Sequence, residues 1–252
     1  MSGLTQSLLQ MLPISTLTLL QFSSGKAIRF VAFFAALPML FGLIYVVGDS
    51  TDLPEIYFSD IMLGIVLGTL LPIASLVLAT SAFQDEIEDR TMVYLILKPI
   101  SRFRIVTEKY LAVIESTILA LWLGTIAAWI IVSRGDMPDT IQVLVAAIVA
   151  ILVGVAGYSA IFVAVSLIVP RALVVGILYT LIWESLLSRF IPGVWTLSVR
   201  HYVESVFVRL VNDPAVTLDN SVQLVAAFPA VLFMIIVSLG LSALRLRTMD
   251  FE

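Results

Sequence analysis

Residues 83–112 read FQDEIEDRTMVYLILKPISRFRIVTEKYLA, a charged island between two long apolar runs, Ile61–Phe83 and Ile105–Val132. Four acids (Asp85, Glu86, Glu88 and Asp89) sit where a helix would begin, which suits the positive end of a helix dipole. Thr91–Leu97 then turns almost wholly apolar before Lys98 and Pro99. Proline stops a helix and disfavours helical geometry at the residue before it. Ser101 is placed to cap a new helix, which carries Arg102, Arg104, Glu108 and Lys109 into the next apolar run. The pattern is a short amphipathic helix, a sharp break and a second helix. An ordinary charged loop with snorkelling basic residues is the plainer alternative. A purely solvated loop has no use for seven consecutive, largely apolar residues, so the segment reads as a docking element.

Outward from this island, six apolar stretches follow one another: Ala27–Val47, Ile61–Phe83, Ile105–Val132, Ile141–Val169, Ala172–Leu187 and Val222–Leu244. A helix needs about 20 apolar residues to cross a bilayer core of about 30 Å. Five stretches meet that length; the fifth, at 16 residues, is short and runs into mixed sequence containing Pro192–Gly193. The runs are continuous rather than alternating, which excludes a barrel. Composition agrees: 60% of the 252 residues are hydrophobic and 13% charged, with a mean hydropathy of +1.09. A water-soluble domain of this size could not bury that much apolar surface. The chain reads as an all-α polytopic membrane protein with six transmembrane helices, a single transmembrane domain over 1–252.

Residues 1–25 differ from the spans. Leu4, Leu8 and Leu12 share a helical face, polar residues interrupt any spanning run, and Pro13 bends or breaks the helix. A signal peptide wants positive charge before its apolar core, whereas the first here is Lys26. An amphipathic helix lying in the interface is the better reading. With the N-terminus inside, the cytoplasmic side holds Lys26, Arg29, Arg90, Lys98, Arg102, Arg104, Lys109, Arg171, Arg245 and Arg247 out of fourteen basic residues. The other side keeps Arg134, Arg189, Arg200 and Arg209, and its first loop holds the acids Asp49, Asp52, Glu55 and Asp60. The positive-inside rule therefore places both termini in the cytoplasm.

Known catalytic signatures are missing from the sequence. Cysteine is absent, which removes disulfides, thiolate metal sites and thiol nucleophiles, and the one histidine, His201, cannot build a metal cage. No glycine-rich loop ending in Gly-Lys-Ser/Thr is present, nor His-Glu-x-x-His, nor Gly-x-Ser-x-Gly. Ser198 and His201 lie three apart without a carboxylate placed to complete a triad, so His201 reads as an interfacial side chain. The net charge of −4 and the absence of a long basic patch argue against nucleic acid.

The charged island also resembles a family. An acid cluster with Glu86 and Glu88, then Thr91, the apolar Tyr94–Leu97, Lys98–Arg102 and Lys109 heading the next span are similar to the permease subunits of type-2 (ABC-2) ABC exporters. Ile182–Tyr202, IWESLLSRFIPGVWTLSVRHY, looks like the segment after the fifth span in bacterial members. The resemblance implies a cytoplasmic coupling region at 84–104 between spans 2 and 3, docking on a separate ATPase chain. The docking residues it implies are Glu86, Glu88, Arg90, Thr91, Lys98, Pro99, Ser101 and Arg102. It implies a dimer with a second permease copy or paralogue, two ABC ATPase subunits, and a prokaryotic inner membrane. Cofactors would be none on this chain, with ATP and magnesium on the ATPase. The chain would not be an enzyme by itself. Transport would follow alternating access, driven by closure of the ATPases.

Within the spans, Glu115 lies about two turns into the third, and Glu184 near the outer end of the fifth. An intramembrane carboxylate is a functional candidate by default. The alternative is that Glu115 pairs with a neighbouring helix and Glu184 reaches the outer interface. Gly64 and Gly68 in the second span, and Ala156, Ala160 and Ala164 in the fourth, are spaced for close helix approach. Trp122, Trp129, Trp183 and Trp195 fall where aromatic belts sit. Residues 188–212 read as a re-entrant outer hairpin between spans 5 and 6, closing the outer side of the pathway. Two rivals keep part of this picture: an ATPase-driven complex that transmits force without a transported substrate, and a membrane-embedded lipid-modifying enzyme using the acids Asp85–Asp89.

Overall fold

The computed structural model describes residues 13–24, 26–48, 53–88, 100–134, 137–187 and 194–248, and the regular structure among them is entirely helical. Helix α1 is Pro13–Ser24 and α2 is Lys26–Val47. Helix α3 spans 54–88 in three continuous pieces: α-helical Pro54–Ile61, π-helical Met62–Leu70 and α-helical Leu71–Glu88. Helix α4 is Arg102–Val132 and α5 is Met137–Ile168. Helix α6 joins α-helical Ala172–Leu178 to π-helical Tyr179–Leu187. A 3-10 turn at Val194–Leu197 leads to α7, Val199–Val211, and the last helix, α8, is Leu224–Thr248.

The helix ends follow local chemistry. Pro13 and Pro54 both stand in a first turn, where a missing N–H leaves no bond unmade. Ser101 caps α4, its Oγ accepting from the Arg104 N–H at 3.3 Å. Helix α7 ends at Asn212, whose left-handed φ of 52° turns the chain out of the helix. Arg171, with φ 62°, makes the turn between α5 and α6.

Among the described residues, five helical stretches are long and apolar enough to cross a membrane: Arg29–Val47, Pro54–Gln84, Arg102–Val132, Thr140–Ile168 and Leu224–Thr248. A shorter one, Ala172–Glu184, stands where the sequence has its short fifth run. The chain is thus a multi-pass membrane protein. The second span begins earlier than Ile61, because aromatic packing carries the helix back through polar sequence. Phe58 is fully buried there, the Tyr57 hydroxyl donates to the Phe41 carbonyl at 3.0 Å, and Tyr57 packs on Tyr45.

Helices α3 and α5 form the centre, whereas only 22% of the apolar window of α2 and 17% of that of α8 is buried within the chain. Exposed apolar side chains on α8, such as Val225, Phe233 and Ile236, are what lipid or another subunit would meet. At Gly154 and Gly157 of α5, three neighbours converge: Leu71 of α3, Val199 and Val203 of α7, and Val231 of α8. These two glycines make the close approach that the sequence pattern assigned to the alanines. Ala160 and Ala164 are also buried.

The contacts fix the path of the last third of the chain. Helix α6 runs back along α3, from Ala172 beside Gln84 to Gly176 beside Leu76. Helix α7 runs antiparallel to α5, with Val199 at Gly157 and the last carbonyls, of Leu210 and Val211, at Gln142. The first residue of α7 is therefore displaced about 22 Å along α5 from that end, at 1.5 Å per residue.

Helices α2 and α4 approach backbone to backbone at Gly124. A Cβ on Gly124 would overlap the Ala35 carbonyl oxygen, whereas one on Gly240 would meet nothing. Gly124→Ala is therefore expected to destabilise the bundle by about 2–4 kcal/mol, because a backbone atom cannot swing aside. Gly240→Ala should be neutral or better. Thermal aggregation in detergent, read by gel filtration, checks the pair.

Candidate functional site

Two polar clusters stand out among the described residues of this apolar bundle, one at the root of the charged loop and one deep among the helices.

At the root, Glu108 and Lys109 are adjacent on α4 and reach in different directions. The Glu108 carboxylate takes the Arg104 Nε at 2.6 Å through one oxygen. Through the other it accepts from the Ile14 N–H at 2.9 Å and the Ser15 N–H at 3.4 Å. A carboxylate on the free N–H groups of a first turn, at the positive end of the helix dipole, is a favourable cap. It ties α1 to α4. Lys109 is fully buried, and its Nζ pairs with Glu86 at 2.6 Å and donates to the Ala82 carbonyl at 2.5 Å. The Phe83 ring lies 5.0 Å away, within cation–π range. These contacts tie α4 to the end of α3. Beside them on α3, the Gln84 side chain accepts from the Ala172 N–H at 2.9 Å and caps α6. Helices α1, α3, α4 and α6 are therefore joined by polar contacts at the base of the loop.

Of the docking residues expected from the sequence, Arg90, Thr91, Lys98 and Pro99 lie outside the described residues, as does the side chain of Glu88. Glu86 is buried and pairs with Lys109. Ser101 is exposed at the start of α4, and Arg102 beside it is half-buried. Among the described residues the Arg102 Nη1 has no hydrogen-bond partner.

The deep cluster is built around Glu184, which is buried completely. Its carboxylate accepts from the Tyr179 hydroxyl at 2.9 Å, from the Ser198 hydroxyl at 2.5 Å, and from the N–H groups of Val199 and Arg200 at 3.2 and 3.4 Å. It thus satisfies the first two N–H groups of α7, beside the N-cap residue Ser198. Arg200, also buried, binds Glu204 at 2.5 Å one turn along, and its Nη1 lies 3.5 Å from the Gly68 carbonyl oxygen. Tyr158, fully buried on α5, stacks on Phe162, which packs edge-on against Tyr179.

Several sequence expectations change here. Glu184 does not reach an outer interface, because the π-helical end of α6 turns its carboxylate onto the buried start of α7. Arg200, counted among the outer basic residues, is drawn into the bundle by Glu204 and Gly68. Within the chain Gly64 and Gly68 do not form a helix-contact pair: a Cβ on Gly64 would meet nothing, and Gly68 is filled by the Arg200 guanidinium. Glu115 is exposed on α4, in line at four-residue spacing with the exposed Leu111, Leu119 and Leu123. His201 packs on Trp195 and its Nε2 meets the Asn220 carbonyl at 3.1 Å. Ser198 Oγ accepts from the His201 backbone N–H, so its side chain and the imidazole are not aligned for nucleophilic chemistry. Trp122 and Trp129 donate to Ile148 and Thr140 across the α4–α5 contact, which makes them helix ties.

Sequence reading passed over Gln84, Glu204, Tyr158 and Tyr179, and gave Glu108 no partner. One signal was present: Arg200 and Glu204 stand at i and i+4, the spacing of a helical ion pair. The rest depends on which helices meet.

The sequence profile described as ABC-2 family transporter protein matches residues 23–186. No curated protein matches the chain.

Proposed function

Because this chain belongs to the ABC-2 transporter family, and so is a membrane-spanning permease of an ABC transporter, we propose that it forms half of an ATP-driven export pathway. A second permease copy or paralogue supplies the other half. Two separate ABC ATPase subunits bind ATP and magnesium, and this chain carries no cofactor and no catalytic residue of its own. The loop between α3 and α4 docks on the ATPase through Glu88, Arg90, Thr91, Lys98, Pro99, Ser101 and Arg102. Glu86 takes the positioning role, holding Lys109. Apolar residues in the loop supply buried area on docking, and the flanking charges supply register. Both termini face the cytoplasm of a prokaryote, in its inner membrane.

The observation that carries this reading is the pair Glu108 and Lys109. A loop that transmits force needs a stiff root, because a frayed one would absorb the movement. Adjacent residues on α4 that grip α1 on one side and α3 on the other give that root. Closure of the ATPases would then move α1, α3, α4 and the capped start of α6 as one body, and the two bundles would rock against each other. Glu115, a carboxylate in an exposed leucine stripe, suits a face turned to another subunit better than one turned to lipid.

A mild-detergent pull-down of the tagged chain from its native host tests the assembly, with stoichiometry by mass spectrometry. A P-loop ATPase at one copy per permease is expected. Recovery of the permease alone, while ATPases of the same cell are detectable outside the complex, would overturn the reading and favour the lipid-enzyme rival.

A further inference from the structure

Helix α7 is an amphipathic element with an unusual place: its polar start is buried deep in the bundle, and its other end stands at the start of α5. Its apolar inner face, Val199, Val203, Val206 and Phe207, is fully buried. Two side chains control how that start is held. Glu184, from α6, satisfies the first N–H groups of α7 and binds Ser198. Arg200, from α7 itself, inserts against Gly68 of α3, its Nη2 standing 2.5 Å and its Cζ 2.8 Å from where a Cβ on that glycine would be. An arginine in such surroundings is expensive unless paired. Here Glu204 neutralises it, and the Gly68 notch receives it.

The two segments that hold α7 are both π-helical: Met62–Leu70 contains Gly68, and Tyr179–Leu187 contains Glu184. A π turn holds one residue more than an α turn. Rewinding it to α geometry rotates one side of the helix against the other by about 100°. Such a rotation in α3 would withdraw the Gly68 notch from Arg200, and one in α6 would withdraw Glu184 from the first turn of α7. Packed interfaces change between discrete arrangements rather than by continuous deformation.

We propose that Arg200 in the Gly68 notch and Glu184 on the first turn of α7 form a latch that holds α7 against α5. Its release, by rewinding of the π segments, frees the buried start of α7 from the middle of the bundle, while the end of α7 at Gln142 stays in place. The latch joins three helices at one point, whereas the far end of α7 is held by the amide of Gln142 on the Leu210 and Val211 carbonyls. Helix α7 is therefore hinged at Gln142 and fastened at Arg200.

The absence of cysteine allows a direct test. Val203→Cys places one thiol on the buried face of α7, packed against Gly154. The full-length chain is labelled in open fragments of its native membrane with a membrane-impermeant methanethiosulfonate that reaches both faces. The result then depends neither on sidedness nor on the ATPase, and its failure is separable from failure of the exporter reading. Labelling is expected to be slow in the otherwise native chain and at least about tenfold faster with Gly68→Ala, which fills the notch. Gly64→Ala, in the same π segment with open space at its Cβ, should leave the rate unchanged. Arg200→Met removes the bolt without crowding α3 and should speed labelling as Gly68→Ala does; it decides the matter if Gly68→Ala fails to give a folded gel-filtration peak. Unchanged labelling in a folded Arg200→Met chain would overturn the latch. So would equal acceleration by Gly64→Ala and Gly68→Ala, since that would reflect loosening of the π segment and not loss of the notch.

Discussion

A chain in which Lys98, Pro99, Ile100, Ser101 and Arg102 are replaced by Gly-Ser-Gly-Ser-Gly is expected to lose its ATPase partner and its export activity together. The segment holds what docking needs: two cations for register, a proline, whose ring is rigid and disfavours helix, and the serine that starts α4. Glycine and serine would keep the connection and its length while removing both charges and the stiffness. Loss of one central docking cluster typically costs about 2–4 kcal/mol, which is about 30- to 1,000-fold in affinity. The bundle itself should survive. The replacement keeps a serine at position 101, so the cap on α4 is retained, and neither Glu108 nor Lys109 is touched. The expected picture is a folded permease that elutes normally and recovers no ATPase. Retained export with the ATPase still bound would contradict the docking assignment.

Lys109→Met is expected to act oppositely, on the fold before the partner. The methionine stem fills the space of the lysine stem, so the change isolates the charge. It leaves Glu86, itself buried, without the ammonium 2.6 Å away, and leaves the Ala82 carbonyl without its donor. Breaking one side of a buried pair costs about 3–5 kcal/mol, because the remaining charge stays desolvated. That is a large part of the stability of an ordinary domain. Thermal unfolding in detergent should show a marked drop. Glu86→Gln in the same chain should restore most of the loss, as a neutral pair needs no counter-charge. Equal stability of the single and double variants would show that the ion pair does not hold the loop root.

Much of the fold was legible because the signals are long. Five apolar runs, the short fifth run and the helix start at Ser101 all follow from length, continuity and capping chemistry, and each stands close to where the sequence puts it. The start of α3 at Pro54 was not legible, since it depends on Tyr57 and Phe58 packing across to α2. The same limit explains the sites. Glu184 and Arg200 look interfacial in sequence, one ending an apolar run and the other following Pro192–Gly193. Only the antiparallel course of α7 along α5 puts them at the level of Gly68 and Gly157. Gly64 and Gly68 present the same pattern to a reader of the sequence and entirely different surroundings in the fold. The family resemblance implies Glu86 as a docking residue, and its pairing with Lys109, more than twenty positions away, was not legible in the sequence.

Everything proposed for the loop rests on contact between its end at the start of α4 and the ATPase, and a photo-cross-link measures that contact most directly. A benzophenone maleimide is attached to Ser101→Cys, at the exposed start of α4, in the complex purified from the native host. The same label on Val225→Cys, 84% exposed at the beginning of α8, serves as the comparison. An adduct of permease and ATPase is expected from position 101 and none from position 225. An ATPase that co-purifies yet forms no adduct from position 101, or forms it equally from both, would contradict docking through this loop.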